Sequence, residues 1–142
     1  MPSGKTHTKI TYLTCLPVAA VVWYLFGPLI SLLVLVSYVF AGQMFNGDLD
    51  TPSSPYYRWG LLKFIWKPYQ NTFKHRSFFT HGPVVGTAIR LLWLLVPLSP
   101  LLLLFEPTLL YLLLESHLIE VYAFIIGLEL GAMSHSIADG VV

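Results

Sequence analysis

Apolar and polar residues alternate along this chain in long blocks. Each apolar block is close to the length of a helix that spans about 30 Å of hydrocarbon. Gly27 and Pro28 separate the first two blocks, and proline suits the first turn of a new helix. The pattern predicts an all-α fold in a single domain over residues 1–142, a polytopic membrane helix bundle of about four transmembrane helices. The predicted helices cover residues 10–26, 29–45, 84–105 and 118–135.

Residues 46–83 form a polar and aromatic segment between the second and third predicted helices. Tryptophan and tyrosine mixed with lysine and arginine are typical of the headgroup level of a membrane. The segment is therefore predicted to be interfacial, with a short helix over residues 59–67; an ordinary amphipathic loop is the alternative. The aromatic residues of this predicted belt are Tyr56, Tyr57, Trp59, Trp66 and Tyr69.

Two prolines interrupt the third apolar block. Pro97 and Pro100 each remove a backbone donor, so the pattern predicts that the third helix is kinked or ends near Pro97. Residues 108–114 add a short apolar piece before the fourth predicted helix. The boundaries of the last two predicted helices therefore depend on how the chain accommodates these prolines.

The composition favours a membrane protein. Of the 142 residues, 56% are hydrophobic and 11% are charged, whereas soluble domains carry about 25% charged residues. The mean hydropathy is +0.70, and a buried subunit of a soluble assembly is the less common alternative. The net charge of +1 gives no electrostatic basis for nucleic-acid binding. The single cysteine, Cys15, cannot form an intramolecular disulfide and is expected to be a small buried hydrophobe.

The basic residues indicate which way the bundle faces. Four crossings place both chain ends, residues 46–83 and the end of the fourth helix on one side of the membrane. The positive-inside rule predicts that this side is cytoplasmic, because the other side carries Glu106 and Glu115 but no Lys or Arg. Arg90 lies inside the third block. The other seven basic residues are on the predicted cytoplasmic side: Lys5, Lys9, Arg58, Lys63, Lys67, Lys74 and Arg76.

Residues able to bind metal ions occur where this topology brings four chain segments to the same cytoplasmic side. They precede the first helix, follow the second, precede the third and close the fourth. Mixed nitrogen and oxygen ligands suit a divalent metal such as Zn, Mn or Fe. Seven candidates exceed the need of one tetrahedral ion, so two ions can be accommodated, and paired ions suit phosphoester chemistry. The candidate ligands are His7, Asp48, Asp50, His75, His81, His135 and Asp139.

Two short motifs carry most of this prediction. Asp48 and Asp50 form a D-x-D pair after the second helix, which can bind or bridge cations or, as the alternative, cap the following turn. His135 and Asp139 are four residues apart and share one helix face. Both can therefore coordinate one ion, or Asp139 can orient the imidazole of His135.

Three further residues are candidates for roles around the metal. Arg76, between His75 and His81, can hold a substrate phosphate in bidentate fashion or belong to an interfacial basic belt. Glu129 is an ionisable residue inside an apolar helix, which makes it a functional candidate. Its partner is the metal, a histidine or Arg90, and a structural pair with Arg90 is the alternative to a catalytic role. His117, in the opposite loop, is expected to be a surface residue.

In combination, these motifs resemble a bacterial family of poorly characterised metal-binding membrane proteins. The family is similar to the membrane-bound metal-dependent hydrolases that share H-R, T-H and H-x-x-x-D patterns. The resemblance covers nearly the whole chain and implies that the seven candidate residues are metal ligands, but it implies no particular substrate. The motifs are Met1-Pro2-Ser3-Gly4-Lys5-Thr6-His7, Asp48-Leu49-Asp50, His75-Arg76-Ser77, Thr80-His81-Gly82-Pro83, Gly127-Leu128-Glu129-Leu130-Gly131-Ala132, and Ser134-His135 with Asp139.

The leading functional hypothesis is a metal-dependent hydrolase that acts on a phosphoester or lipid-linked substrate at the cytoplasmic face. Glu129 and Arg76 are its candidate catalytic residues, and membrane lipids are its surroundings. The alternative is a non-catalytic metal-binding or structural subunit, which implies partner membrane subunits in a larger complex. A small transporter is a third hypothesis; it needs polar residues at mid-membrane depth, where only Glu129 and Arg90 qualify.

Overall fold

The computed structural model describes residues 4–102, 104 and 107–140 of the chain. The described residues are almost entirely helical and include no strand, as the block pattern predicts. Two short 3₁₀ turns, Gly47–Asp50 and Gly60–Ile65, lie between the second and fourth helices. The α-helices are α1 (Gly4–Phe26), α2 (Pro28–Met44), α3 (Ser54–Arg58), α4 (Trp66–Thr72), α5 (Phe78–His81), α6 (Val85–Leu102), α7 (Pro107–Ser116) and α8 (Leu118–Ala138).

Three helix boundaries differ from the sequence prediction. Helix α1 begins at Gly4 instead of residue 10, so its first turns carry the polar residues that precede the apolar block. Helix α8 continues to Ala138, three residues past the predicted end. Helix α6 runs through Pro97 and Pro100, so the predicted stop near Pro97 is wrong. Apolar helices tolerate proline where neighbouring groups satisfy the freed carbonyls. The predicted end of this helix, at residues 103–105, lies partly outside the described residues, as does Glu106.

Helix α2 is the centre of the bundle and packs against α8 on one side and α1 on the other. Small residues allow the closest approach between α2 and α8. A Cβ atom placed on Gly127 would lie 1.9 Å from Ser37 Oγ, and one on Gly131 would lie 2.1 Å from Tyr38 O. Side chains here would clash with the facing helix, so the two glycines set the separation of the helices and the position of the α8 end.

We expect Gly131→Ala to destabilise the protein by about 1–3 kcal/mol, because the added methyl group forces α8 away from α2. The measurement is thermal unfolding in detergent. Val36→Ile is the matched control, since it adds one methylene group to the exposed side of α2, where Val36 is 54% exposed. Equal melting temperatures for the two variants would show that the close approach is not needed.

Two aromatic side chains of the segment over residues 46–83 are buried inside the protein. Trp66 and Tyr69 are completely buried and pack edge-to-face, with ring centroids 5.5 Å apart. Trp93 of α6 donates from Nε1 to the carbonyl of Ile65 at 3.1 Å, which fixes α6 to this segment. Burial raises the pKa of Tyr69 to about 12, so its hydroxyl is protonated at neutral pH.

The predicted aromatic belt is therefore wrong for Trp66, Tyr69 and Tyr56, because packing against α2 and α6 buries more of their surface than a headgroup layer would. Tyr57 is exposed, as a belt residue should be. The predicted single helix over residues 59–67 is also wrong. Gly60, with φ of 56°, turns the chain between α3 and the second 3₁₀ turn.

Three helical spans are long and apolar enough to cross a membrane: Thr6–Phe26, Pro28–Asp50 and Leu118–Ala138. A shorter apolar helix covers Val85–Leu101. Large apolar side chains are exposed along these helices, for example Leu16 on α1 and Leu92 on α6. A membrane protein is plausible on this basis, and the predicted fourth crossing stays a prediction.

Candidate metal centre

Polar side chains from four separate chain segments meet at one end of the bundle. Helix α1 begins there, α2 ends there, α5 and α6 adjoin there, and α8 ends there. The side chains are deeply buried for such polar groups: those of His81 and Asp139 are each 1% exposed. The residues that contact one another are His7, Asp48, Asp50, His75, His81, His135 and Asp139.

The first 3₁₀ turn brings Asp48 onto the end of α8. Asn46 caps this turn, because its side chain accepts a hydrogen bond from the Asp48 backbone N–H at 3.2 Å. The Asp48 carbonyl in turn accepts from Ser53 Oγ at 2.6 Å. Capping is thus done by Asn46, and the capping alternative for Asp48 is wrong. The Asp48 carboxylate faces two histidines instead.

His7, His135 and Asp139 form a first group of ligand atoms that all lie within 4.8 Å of one another. His7 Nε2 is 3.0 Å from Asp139 Oδ1, and His135 Nε2 is 3.5 Å from Asp139 Oδ2. The rings of His7 and His135 have centroids 4.3 Å apart. The predicted i, i+4 pair of α8 does share one face, and Asp139 caps the helix through its own N–H.

Asp48, His81 and Asp139 form a second group with the same compactness. Asp48 Oδ1 is 3.6 Å from His81 Nε2, and Asp48 Oδ2 is 3.1 Å from His135 Nε2. Asp139 therefore belongs to both groups, and the two oxygens of Asp48 face histidines of different groups. Carboxylates that lie between two sets of ligands can bridge two cations.

Several of these ligand atoms make no hydrogen bond although they are fully buried. Their nearest charged neighbours are other ligand atoms of the centre, at 3.0–3.6 Å. Buried polar atoms are normally hydrogen-bonded, and one without a partner costs about 1–3 kcal/mol. A divalent cation would satisfy carboxylate oxygens and imidazole nitrogens together, so the donor set fits Zn, Mn or Fe. The atoms are Asp48 Oδ1, His81 Nε2, His135 Nε2 and both carboxylate oxygens of Asp139.

Asp50 and His75 lie beside the two ligand groups. Asp50 Oδ1 is 2.7 Å from His75 Nδ1, and its Oδ2 accepts from the Arg76 backbone N–H at 3.1 Å. Asp50 Oδ2 is also 3.6 Å from His81 Nδ1, which contacts Thr80 Oγ1 at 2.9 Å. Partners of this kind fix the orientation of a ligating imidazole. The close polar partner of His81 Nδ1 is therefore Thr80, whereas Asp50 bonds chiefly to His75, whose side chain is 40% exposed.

Arg90 and Glu129 hold the loop that carries His81 at its two ends. Arg90 donates to the Thr80 carbonyl at 2.7 Å, and the Val84 N–H donates to Glu129 Oε1 at 2.8 Å. Val84 has φ of 62°, a strained conformation for a β-branched residue. In the described structure no salt bridge joins Arg90 to Glu129, so the structural pair that was the alternative to a catalytic role is not formed. Arg90 instead lies over the ring of Phe45.

The remaining candidates are more peripheral. The side chain of Arg76 is exposed, and the residue has a left-handed backbone with φ of 57°. His117 is a surface residue near Glu120, as expected. Sequence reasoning did not single out Thr80, Asn46 or Gly47. Thr80 could have been found as the neighbour of His81, whereas the roles of Asn46 and Gly47 depend on contacts that spacing does not reveal.

Gly47 supplies a direct test of this geometry, because a Cβ atom there would lie 2.5 Å from His81 Cδ2. We expect Gly47→Ala to displace the imidazole and to lower zinc affinity roughly 10–100-fold, as for other losses of ligand support. Isothermal titration with Zn²⁺ measures this. Gly60→Ala is the control: nothing lies within 4 Å of its Cβ, and its φ predicts a stability cost without a change in affinity. Equal affinity for both variants would contradict the placement of His81.

The comparisons with known proteins agree with this chemistry. The model of a family described as "Uncharacterized metal-binding protein (DUF2227)" matches residues 2–142. The chain belongs to this family. An uncharacterized protein of Aquifex aeolicus (strain VF5) is 37% identical to this DUF2227 member over 60 residues, which is 42% of each chain. The match thus spans less than half of that relative. No solved structure matches the chain.

Family membership and the two ligand groups together support metal binding as the function of this DUF2227 member. The predicted relation to membrane-bound hydrolases stays a prediction, because the family description mentions no reaction.

Proposed function

We propose that the protein is a membrane-embedded metal-dependent hydrolase that acts on a phosphoester or lipid-linked substrate at the cytoplasmic face. The observation that carries this proposal is the shared use of Asp139 by two compact ligand groups. That arrangement suits a pair of divalent ions, which is common in enzymes that cleave phosphoesters. A single structural ion would need only one of the two groups.

Different residues would bind the two ions and the substrate. His7, His135 and Asp139 would hold one ion, and Asp48, His81 and Asp139 the other. Bound divalent ions stabilise negative charge that develops on a phosphoester and lower the pKa of coordinated water. Asp48 and His75, with side chains 17% and 40% exposed, are more accessible than the other residues of the centre, so a substrate would approach from their side. Arg76 follows His75 and would hold substrate charge there.

Glu129 keeps a candidate role through its contact with the loop that carries His81. Its Oε1 is bound to Val84, but its Oε2 is buried and makes no hydrogen bond. It would act chiefly by positioning the His81 loop. A role as proton acceptor would require that a substrate place its reacting group near Oε2.

The path of the chain supports the proposed placement in a membrane. His81 precedes α6 and His135 ends α8, and both lie at the same end of the bundle. The chain must therefore leave that end through α6 and return through α8. An 18-residue helix such as α6 is about 27 Å long, close to the thickness of the hydrocarbon core. The basic residues at this end support a cytoplasmic orientation.

A non-catalytic role is the second candidate, and the depth of the ligands favours it. The side chains of Asp50, His81 and Asp139 are at most 1% exposed, so ions held there could join four helix ends without meeting a substrate. The ions would then stabilise the bundle, or a larger membrane complex built on it.

Turnover separates the two candidates. The metal-loaded protein in detergent would be given p-nitrophenyl phosphate and bis(p-nitrophenyl) phosphate, with His81→Ala as the variant. We expect metal-dependent release of nitrophenol that His81→Ala abolishes while circular dichroism stays unchanged. Equal rates for both proteins would reject the hydrolase. A loss of stability in the variant, without turnover in either protein, would support the structural role.

A further inference from the structure

A deep apolar groove of about 860 Å³ lies between the aromatic segment and α6. Phe64, Pro68 and Phe73 form one wall, and Ile89, Leu92 and Leu98 are on the other. Its lining is almost wholly apolar, and it is open to the surroundings along α6. The volume is in the range of small-molecule sites, which bury most of an apolar ligand.

Residues at one part of the groove are close in the chain to residues of the metal centre. Phe73, at one end of it, packs on Tyr69 with ring centroids 4.8 Å apart, and the chain reaches His75 two residues later. Ile89, on the opposite wall, precedes Arg90, which binds the carbonyl before His81. From Ile89 to Leu98 the groove follows α6 for about 14 Å away from this end. The part of the groove at Phe73 and Ile89 is therefore the part nearest in the chain to His75 and to the Thr80 carbonyl that Arg90 binds, and Leu98 is farther along α6.

Two exposed lysines are next in the chain to residues that line the groove. Lys67 and Lys74 are exposed and adjoin the lining residues Pro68 and Phe73. The sequence from residue 51 to residue 105 contains six Lys or Arg and no Asp or Glu. This excess of cations complements an anionic head, whereas the groove itself complements a hydrocarbon chain.

We propose that this groove binds the hydrocarbon chain of an anionic phosphoester amphiphile and presents its head to the metal centre. The proposal rests on the proposed function, which it deepens by naming the substrate class. The apolar chain would lie along α6, and the phosphate would contact Lys67, Lys74 and the exposed His75. The scissile bond would then lie beside Asp48. An ordinary bilayer lipid would cover the groove without such a preference for phosphate.

A photoreactive probe tests the groove without relying on turnover. Dodecyl phosphate with a diazirine at the end of its chain would be cross-linked to the protein in nanodiscs of zwitterionic lipid, and labelled peptides mapped by mass spectrometry. We expect labelling of residues 89–98 that excess dodecyl phosphate displaces and dodecanol does not. Equal displacement by dodecanol, or equal labelling of α1, would overturn the proposal.

Two sets of variants sharpen the result. Leu92→Trp fills the groove and should lower probe binding on the order of tenfold, whereas Leu16→Trp, at an equally exposed leucine of α1, should not. Lys67→Gln with Lys74→Gln should weaken binding of the phosphate but not of the alcohol. Unchanged labelling in Leu92→Trp and in the lysine variant would also overturn the proposal. Cross-linked dimers through residues 89–98 would show instead that a second copy occupies the groove.

Failure of the groove and failure of the hydrolase give different results. If the groove is wrong but the enzyme is right, p-nitrophenyl phosphate is still cleaved and the metal content is unchanged, while labelling shows no phosphate preference. If the hydrolase is wrong, no ester is cleaved, yet phosphate-dependent labelling along α6 is still measured.

Discussion

Asp139→Ala should abolish binding of both metal ions, because Asp139 is the ligand that the two groups share. Its side chain is 1% exposed and contacts His7 Nε2 at 3.0 Å and His135 Nε2 at 3.5 Å. Loss of an outer partner of a ligand lowers metal affinity 10–100-fold, so loss of a shared ligand should lower it by at least about 100-fold. The measurement is metal content after equilibrium dialysis, by elemental analysis.

Single-group variants are the matched controls for this prediction. His7→Ala should lose the ion of the first group only, and His81→Ala the ion of the second group only. His117→Ala, on the opposite side of the bundle, should keep both. If Asp139→Ala loses no more metal than His7→Ala, Asp139 is not a ligand that the two groups share.

Removal of the metal should destabilise the loaded protein strongly. Without cations, the buried oxygens of Asp48 and Asp139 lack hydrogen bonds and adjoin other carboxylates. A ligand at 1,000 times its Kd stabilises a protein by about 4 kcal/mol. At about 2–4 °C per kcal/mol for a chain of roughly this size, the melting temperature should fall on the order of 10 °C. Thermal unfolding with and without a chelator measures this.

The same measurement on Asp139→Ala tells whether the effect comes from this site. A variant that holds no metal should melt at the same temperature with and without chelator. Chelation that lowers the melting temperature of the variant as much as that of the wild type would locate the stabilising ion elsewhere. Chelation without effect on either protein would argue against a metal at the helix ends.

Much of the fold could be predicted from the sequence, because long apolar blocks specify helices directly. The ends of those helices were harder to predict. Helix α1 includes the polar residues from Gly4 onward, which the apolar pattern does not reveal. His7 therefore lies at the metal centre and not in a terminal tail. Pro97 failed as a stop signal, since α6 continues beyond it.

The sequence predicts which residues gather at the candidate site, but not which of them contact one another. Topology alone indicates that residues at four helix ends meet on one side. Spacing cannot show that Asp50 bonds to His75 while Asp48 faces His81 and His135. Those roles depend on the Asn46 cap and on the space that Gly47 leaves for His81. A structural pair of Arg90 and Glu129 was one interpretation of the sequence. In the structure Arg90 binds the Thr80 carbonyl and Glu129 accepts from the Val84 N–H, at the two ends of the loop that carries His81.

The most direct test of a shared two-ion centre is elemental analysis of the purified wild-type protein after dialysis against Zn²⁺ or Mn²⁺. Two ligand groups joined by Asp139 predict about two divalent ions per chain, reduced to about one in His7→Ala and in His81→Ala. One ion per wild-type chain would contradict the shared carboxylate. No bound ion under either condition would contradict the metal centre itself.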